Sequence, residues 1–260
     1  SKKGMRRHML KDYINSFTYN GHSSLEYGLA INSKNNVFGA PKPVIEKINI
    51  PGRGNIVYNG KTDELDNGEY SDFSKKYSCF MMLDDDNDFS IEDTARAIAG
   101  WLSKEPGYKR LDDTYEEGYF REALFESELS AQDVAAMLIG KIDLTFTCHP
   151  FKYSYAGQKV ITLSQAATIY NTENFTALPY MKIYGSGTVT LYINNRAHTF
   201  KDVNGYIEVD SEQMTAYKDH TLCNNQMLTT FFPKLAAGQN DIRWSGNISR
   251  IELTPRWCSL

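Results

Sequence analysis

The sequence predicts a mostly β protein with one helix: an α+β domain over residues 5–153, then an all-β sandwich over residues 154–260. Three observations lead there. Charge is dense in the first part, with 19 Lys/Arg and 24 Asp/Glu in residues 1–153 against 9 and 8 in residues 154–260. Threonine runs the other way, 6 against 12, and its branched side chain suits a pleated, half-buried strand. Short alternating segments separated by Gly and Asn turns recur along the chain, while one segment stands out with helical periodicity.

Taken in order, Ser16 to Tyr19 reads as a strand running into the Asn20-Gly21 turn. Val44 to Ile50 alternates Val44, Glu46, Ile48 and Ile50 against Ile45, Lys47 and Asn49, and Pro51-Gly52-Arg53-Gly54 stops it. Lys75 to Leu83 is a second such strand, with Tyr77, Cys79, Met81 and Leu83 on one face. The helix follows: Ser90 as cap, Asp93 completing a capping-box-like pattern, Ile91, Ala95, Ile98 and Leu102 as one apolar face, and Glu105-Pro106-Gly107 as the stop. Gly118 to Phe125 reads as a strand, Ala131 to Ile139 suits helix or strand, and Lys141 to Cys148 closes the domain as a strand. Pro150 is expected to end that strand and open a protease-sensitive junction over Phe151 to Gly157.

The second part reads as a ladder: Lys159–Leu163, Tyr180–Tyr184, Val189–Ile193, Tyr206–Asp210 and Ile248–Leu253. Turns are expected at Gly185-Ser186-Gly187, Asn194-Asn195, Asn204-Gly205 and Gly238-Gln239-Asn240. No repeat period or low-complexity tract interrupts either part.

Composition narrows the function classes. A net charge of −4 over 260 residues lacks the basic footprint of a nucleic-acid binder. The longest apolar run, Val134 to Ile139, is too short to cross a bilayer as a helix, and no membrane insertion is expected. Ser1 to Gly4 read as added residues ahead of a native start at Met5 or Met9, and no secretion signal opens the chain. Cys79, Cys148, Cys223 and Cys258 are widely spaced, without a C-x-x-C pair, and are expected as free thiols of a reducing cytosol. The 17 Tyr, 13 Phe and 3 Trp suit β-cores and protein interfaces alike.

Motifs for chemistry are sparse. Asp84, Asp86 and Asp88 match the first three liganding positions of an EF-hand loop, but Phe89 stands where the turn needs glycine and Ala95 where glutamate belongs. A solvated acidic turn before the helix is the better reading. His8, His22, His149, His198 and His220 fall in no metal-binding pattern. Cys148 and His149 are no dyad by adjacency, since strand neighbours face opposite ways, and Glu116-Glu117 reads as a turn. Phosphate loops, dinucleotide fingerprints and nucleophile elbows are missing. Trp101 belongs beside the helix core; Trp244, ahead of a loop at Ser245-Gly246-Asn247, is read as packing before sugar stacking. No catalytic, cofactor-binding or metal-binding residue is expected.

Segment order carries a further signal. Phe17 to Leu29, the strand ending in Ile50-Pro51-Gly52-Arg53-Gly54, Gly118–Phe125, the run Leu144 to Tyr153 and the stretch Asn171 to Pro179 succeed one another at characteristic spacing. Gly185 to Asn195 and Tyr206 to Tyr217 continue the series. The arrangement resembles, over nearly the whole chain, the distal tail protein (Dit) family of siphophages, phages with long non-contractile tails. One departure is the short Gly52-Arg53-Gly54-Asn55 turn.

The resemblance implies an N-terminal ring-forming domain and a C-terminal galectin-like β-sandwich. It implies a virion protein of the phage tail tip, made in the bacterial host cytoplasm: a homohexameric hub between the major tail tube protein and the tail-tip or tail-associated protein. The resemblance extends the partners to tape-measure and receptor-binding proteins. DNA would pass through the lumen unbound, so the lining should avoid positive charge; Asp84 to Asp88 are a candidate for part of it. Sugar binding does not come with the fold, and Asn194 to His198 only partly echoes a galectin's polar set. The alternative function is a carbohydrate-binding module using Trp244 and nearby tyrosines; a hydrolase with dispersed carboxylates comes third.

Overall fold

A computed structural model of the chain describes residues 14–34, 36–82, 91–127, 133 and 141–260. The Asp84–Asp88 run, Leu83, the Ser90 cap, His8, the Met5 or Met9 start, and the Ala131–Ile139 segment apart from Asp133 lie outside them. The described chain is mostly antiparallel β with one long helix. It forms two compact units, one of residues 1–43, 70–152 and Leu260, the other of residues 44–69 and 153–259.

In the first unit, β1 (Phe17–Tyr19) turns through Asn20-Gly21 into β2 (His22–Ser23). Both turn residues have positive φ, 51° and 81°, as a two-residue hairpin turn requires. A short 3-10 turn, Ser24–Tyr27, is closed by a capping box in which Ser23 and Glu26 satisfy each other's backbone N–H groups. Next come β3 (Leu29–Ile31) and β4 (Val37–Phe38). After residues 44–69, which belong to the second unit, the chain returns as β7 (Phe73–Met81), α1 (Ile91–Ser103), β8 (Lys109–Asp113), β9 (Tyr119–Phe125) and β10 (Ile142–Ser154). The sheet order is β2-β1-β8-β9-β10-β7-β3, with β4 also paired to β7.

The expected faces pack as the periodicities require. Tyr77, Cys79 and Met81 of β7 are buried, as are Ala95, Ile98 and Leu102 of α1. Trp101 joins that core: it stacks on Tyr27 at 4.5 Å and Phe17 at 5.6 Å, and its indole N–H donates to the Tyr19 carbonyl at 2.9 Å. Burying an aromatic with its polar end satisfied makes it an anchor for the helix.

β10 corrects one expectation. Pro150 does not end the strand, which runs on to Ser154. The Ser154 N–H donates to the Trp257 carbonyl at 3.0 Å, and at Gly157 a Cβ would meet the Trp257 backbone nitrogen at 2.4 Å. The 151–157 segment is therefore bonded structure, and the backbone freedom that proteases need is not found there.

The second unit opens with a ribbon, β5 (Glu46–Ile50) and β6 (Gly54–Tyr58), joined by Pro51-Gly52-Arg53 in the register Ile50↔Gly54. The remainder is β11 (Ile161–Leu163), β12 (Ala167–Asn171), β13 (Tyr180–Ile193), β14 (Arg196–Asp210), β15 (Thr215–Lys218), β16 (Thr221–Leu222), β17 (Gly238–Thr254) and β18 (Cys258–Ser259). The sheet runs β11-β17-β13-β14-β15-β16, with β12 also on β17.

Two expected turns are interior to long strands, and a third opens one. Gly185-Ser186-Gly187 lies within β13, Asn204-Gly205 within β14, and Gly238-Gln239-Asn240 begins β17. The pairing shifts register between Gly187 and Val189, and again along β17. Glycine serves here as a bulge and crossing point: at Gly185 a Cβ would stand 2.3 Å from the Asn247 carbonyl oxygen. Bulges bend a strand and increase its twist, so the long strands close over one core that includes Met181, Ile183, Leu191, Phe200, Ile207 and Leu253. Asn194-Asn195 is a true two-residue turn, with register Ile193↔Arg196 and φ 53° at Asn194.

Candidate functional site

The most charged buried place in the first unit is built around the β8–β9 turn. Asp113, at the end of β8, accepts from Lys75 Nζ at 2.7 Å and from the Tyr77 hydroxyl at 2.5 Å. Its other oxygen accepts from the backbone N–H groups of Tyr115 and Glu116. Glu116, in the turn, takes Lys152 at 2.7 Å and Lys75 at 3.2 Å, with Arg121 Nε at 3.9 Å. Arg121 also donates to the Pro150 carbonyl at 2.7 Å and lies over the Phe73 ring. Three cations thus share two carboxylates around a cavity of about 10 Å³, the size of one water.

Electrostatics keep the cluster charged. Burial works against ionising Glu116, but the Lys152 hydrogen bond and the charges of Lys75 and Arg121 overcome it and hold its carboxyl down to about 2. Burial and the neighbouring Asp113 push the Tyr77 hydroxyl well above its ordinary range. A carboxylate held that low and a phenol held that high are poor proton carriers near neutral pH. The arrangement is a clamp that fixes the turn to the sheet. Glu116-Glu117 is the turn the sequence predicts; the role of Glu116 as an ion hub was not visible there.

A second clamp lies in the second unit. Asp63 receives the Arg196 guanidinium on both oxygens, Glu64 adds a contact at 3.1 Å, and Lys234 pairs with Asp66. Asn67 and the Thr176 backbone exchange two hydrogen bonds, at 2.8 and 2.9 Å. These contacts seat the loop after β6 on the β-structure of residues 153–259. The ribbon itself is left open: Val44, Ile45, Ile48, Ile56, Val57 and Tyr58 are all between 41% and 60% exposed.

The tyrosines of the β13–β14–β17 face are already occupied. Arg250 lies 3.7 Å from the Tyr184 ring centre, Lys182 lies 3.9 Å from that of Tyr206, and Arg243 lies 4.1 Å from that of Tyr192. A sugar stacking on these rings would first have to displace a cation.

The other residues singled out in the sequence are dispersed. Trp244 is within β17, opposite Leu191, and packs against the core; Ser245-Gly246-Asn247 is strand and not loop. Cys148 is fully buried while its neighbour His149 lies against Tyr108 at 3.8 Å. His22 pairs with Glu26 and His220 is exposed. His198 is buried beneath Phe231 and hydrogen-bonded to its carbonyl through Nδ1 at 3.3 Å. The four cysteines are buried free thiols. Among the described residues no His, Cys, Asp and Glu side chains group as metal ligands, and no helix is long and apolar enough to cross a membrane.

These features define a class by fold: two antiparallel β units, the first carrying the helix, the second including a ribbon that falls in sequence between two stretches of the first. No protein-family model matches the sequence, and none of the curated proteins does. Among solved structures, the fold is similar to the Dit (gp 19.1) protein of phage SPP1, described as a paradigm of the hub adsorption apparatus in phages infecting Gram-positive hosts. The likeness has a TM-score of 0.63 at 11% identity and covers 92% of this chain and 97% of that one. At this identity it is a likeness of fold.

Proposed function

We propose that the chain is a structural subunit of a phage tail tip, a non-enzymatic hub that assembles as a homohexameric ring. In this reading it joins the tail tube protein on one side to the tail-tip protein on the other, and DNA passes through the ring without specific binding. The first unit builds the ring and the second serves as its galectin-like sandwich. The observation that carries this reading is the fold likeness to the SPP1 hub protein over 92% of the chain, which leaves little of either unit unaccounted for.

The local chemistry agrees. The buried carboxylates are locked into ion pairs, which suits a scaffold better than a proton-transfer site. The ribbon exposes aliphatic side chains of a kind that isolated proteins cover. The carbohydrate-binding alternative is weakened, because Trp244 is packed on the core and the neighbouring tyrosine faces are covered. Native mass spectrometry of the full chain tests the proposal. A six-subunit species is the expected result; a monomer at all micromolar concentrations would contradict it.

A further inference from the structure

We infer that His198 is an acid-sensitive latch: its neutral imidazole holds the strap of residues 228–235 closed over the second unit, and protonation lets the strap open between its two fixed ends. Every group involved lies in the second unit, so the latch stands whether or not the chain assembles.

His198 is on β14 across from Leu191 and is 1% exposed. The strap crosses it. The Phe231 ring meets the imidazole at 5.2 Å with the planes at 73°, and the Phe231 carbonyl is 3.3 Å from Nδ1. A carbonyl only accepts, so Nδ1 carries the proton and Nε2 keeps a lone pair. That Nε2 is buried without a hydrogen-bond partner, and so is the Thr229 hydroxyl in the strap itself. A buried lone pair without a donor is a modest cost, whereas a buried cationic N–H without an acceptor is a large one. Opening the strap gives both groups to water.

The ends of the strap are fixed independently of the imidazole. The Leu228 N–H donates to the Thr199 carbonyl at 2.8 Å, and Met227 bridges to Phe200. At the other end Ala177 and Leu235 exchange backbone bonds at 2.8 and 3.0 Å, and Lys234 pairs with Asp66. Burial opposes ionising Asp66, but hydrogen bonds from Lys234 and Thr62 outweigh it and hold the carboxyl down to about 2. This anchor therefore keeps its charge in mild acid. Between the anchors Phe231 is 40% exposed and Thr229 buries its unpaired hydroxyl, so the middle of the strap is weakly held.

Nearby charges set the direction. Arg196, two residues along β14 and 6.0 Å from the Phe231 ring centre, repels a proton on His198. Its own countercharges, Asp63 and Glu64, are engaged with it, and Lys234 adds a cation at the end of the strap. From β13 the residue opposite is Leu191, which is uncharged. Burial, opposed by the Phe231 carbonyl and reinforced by Arg196, holds the imidazole of the closed strap down to about 4, against 6.5 in water. Opening restores the ordinary value. The contribution of His198 to closure is thus fully present above 6.5 and is lost as pH falls toward 4, with the open-to-closed ratio rising by up to about 300-fold.

The test labels the full-length chain carrying Thr229→Cys with 4,4′-dithiodipyridine between pH 6.5 and 4. Each rate is divided by that of the same protein unfolded in urea. The normalised rate should rise by up to about 300-fold, and adding His198→Gln should hold it within about threefold across the window. A flat rate without His198→Gln, or an equal rise with it, would overturn the latch. Equal acceleration at Cys258 of the same unit would also overturn it, because the unit and not the strap would then be opening. Should Thr229→Cys fold poorly, NMR of the unmodified chain decides. The Thr229 methyl resonance should shift with the midpoint of the His198 imidazole while the Leu191 methyls stay still; a Thr229 methyl that ignores that titration would overturn the latch.

Discussion

Lys75 and Asp113 meet at 2.7 Å with both side chains nearly dry, 7% and 1% exposed. Removing one member of a buried pair strands the other charge and commonly costs about 3–5 kcal/mol. Asp113 also caps the backbone of Tyr115 and Glu116 and receives the Tyr77 hydroxyl. Asp113→Ala should therefore destabilise the protein by about 3–5 kcal/mol in urea unfolding. A loss below about 1 kcal/mol would mean the cluster is not a clamp.

Glu116 sets the acid limb of stability. Its folded carboxyl is held to about 2, below the unfolded value of 4.5, so its contribution is complete above the unfolded value and lost as pH falls from there toward 2. Glu116→Gln should lower the melting temperature at pH 7 and flatten its decline between pH 4.5 and 2. Parallel melting curves for the two proteins across that window would contradict this assignment.

His198 predicts a second slope. Burial pushes its imidazole down to about 4, against 6.5 when free, the Phe231 carbonyl only partly opposing. The unfolded chain therefore takes up this proton first, and stability falls as pH drops from 6.5 toward 4, by on the order of 3 kcal/mol in full. His198→Gln should remove most of that slope. Melting temperatures read at half-unit pH steps decide it, and an unchanged slope would place the titrating group elsewhere.

The ribbon loop should be released by losing its cation. Arg196 grips Asp63 and Glu64, and burial of the pair is incomplete, so Arg196→Ala is expected to cost about 1–2 kcal/mol locally. Hydrogen exchange over residues 59–69 should accelerate while exchange in β13 stays unchanged. Equal protection in both proteins would show that Asn67 and Lys234 hold the loop without Arg196.

The cysteines should behave as core side chains. Burial pushes the thiols of Cys79 and Cys258 up to about 12 and that of Cys148 up to about 11, so they stay protonated at neutral pH. A thiol reagent should find four free groups after denaturation and react slowly before it. Fewer than four in reduced-handled material would contradict the free-thiol assignment.

What was legible in the sequence is what local physics decides. Ala95, Ile98 and Leu102 announce α1 by their spacing, Tyr77, Cys79 and Met81 announce β7, and Asn20-Gly21 and Asn194-Asn195 announce their turns. Gly185 and Gly205 misled, because a glycine that admits a close backbone approach, as at Gly185, or holds a positive φ inside a strand, as at Gly205, looks in sequence like one that reverses the chain. β8 was missed: Lys109 to Asp113 carries a single aliphatic residue, Leu111, and owes its place to neighbours on both sides. The ion hub at Glu116 and the attachment of residues 44–69 to Arg196 and Lys234 join positions far apart in the chain. No local pattern encodes such pairs; only the folded sheet brings them together.

The central claim, a hub ring, is tested most directly by negative-stain microscopy of the full-length chain at micromolar concentration. Class averages should show closed rings with six-fold symmetry and an open centre. Uniform single particles of about 30 kDa, the mass of one chain, would contradict it.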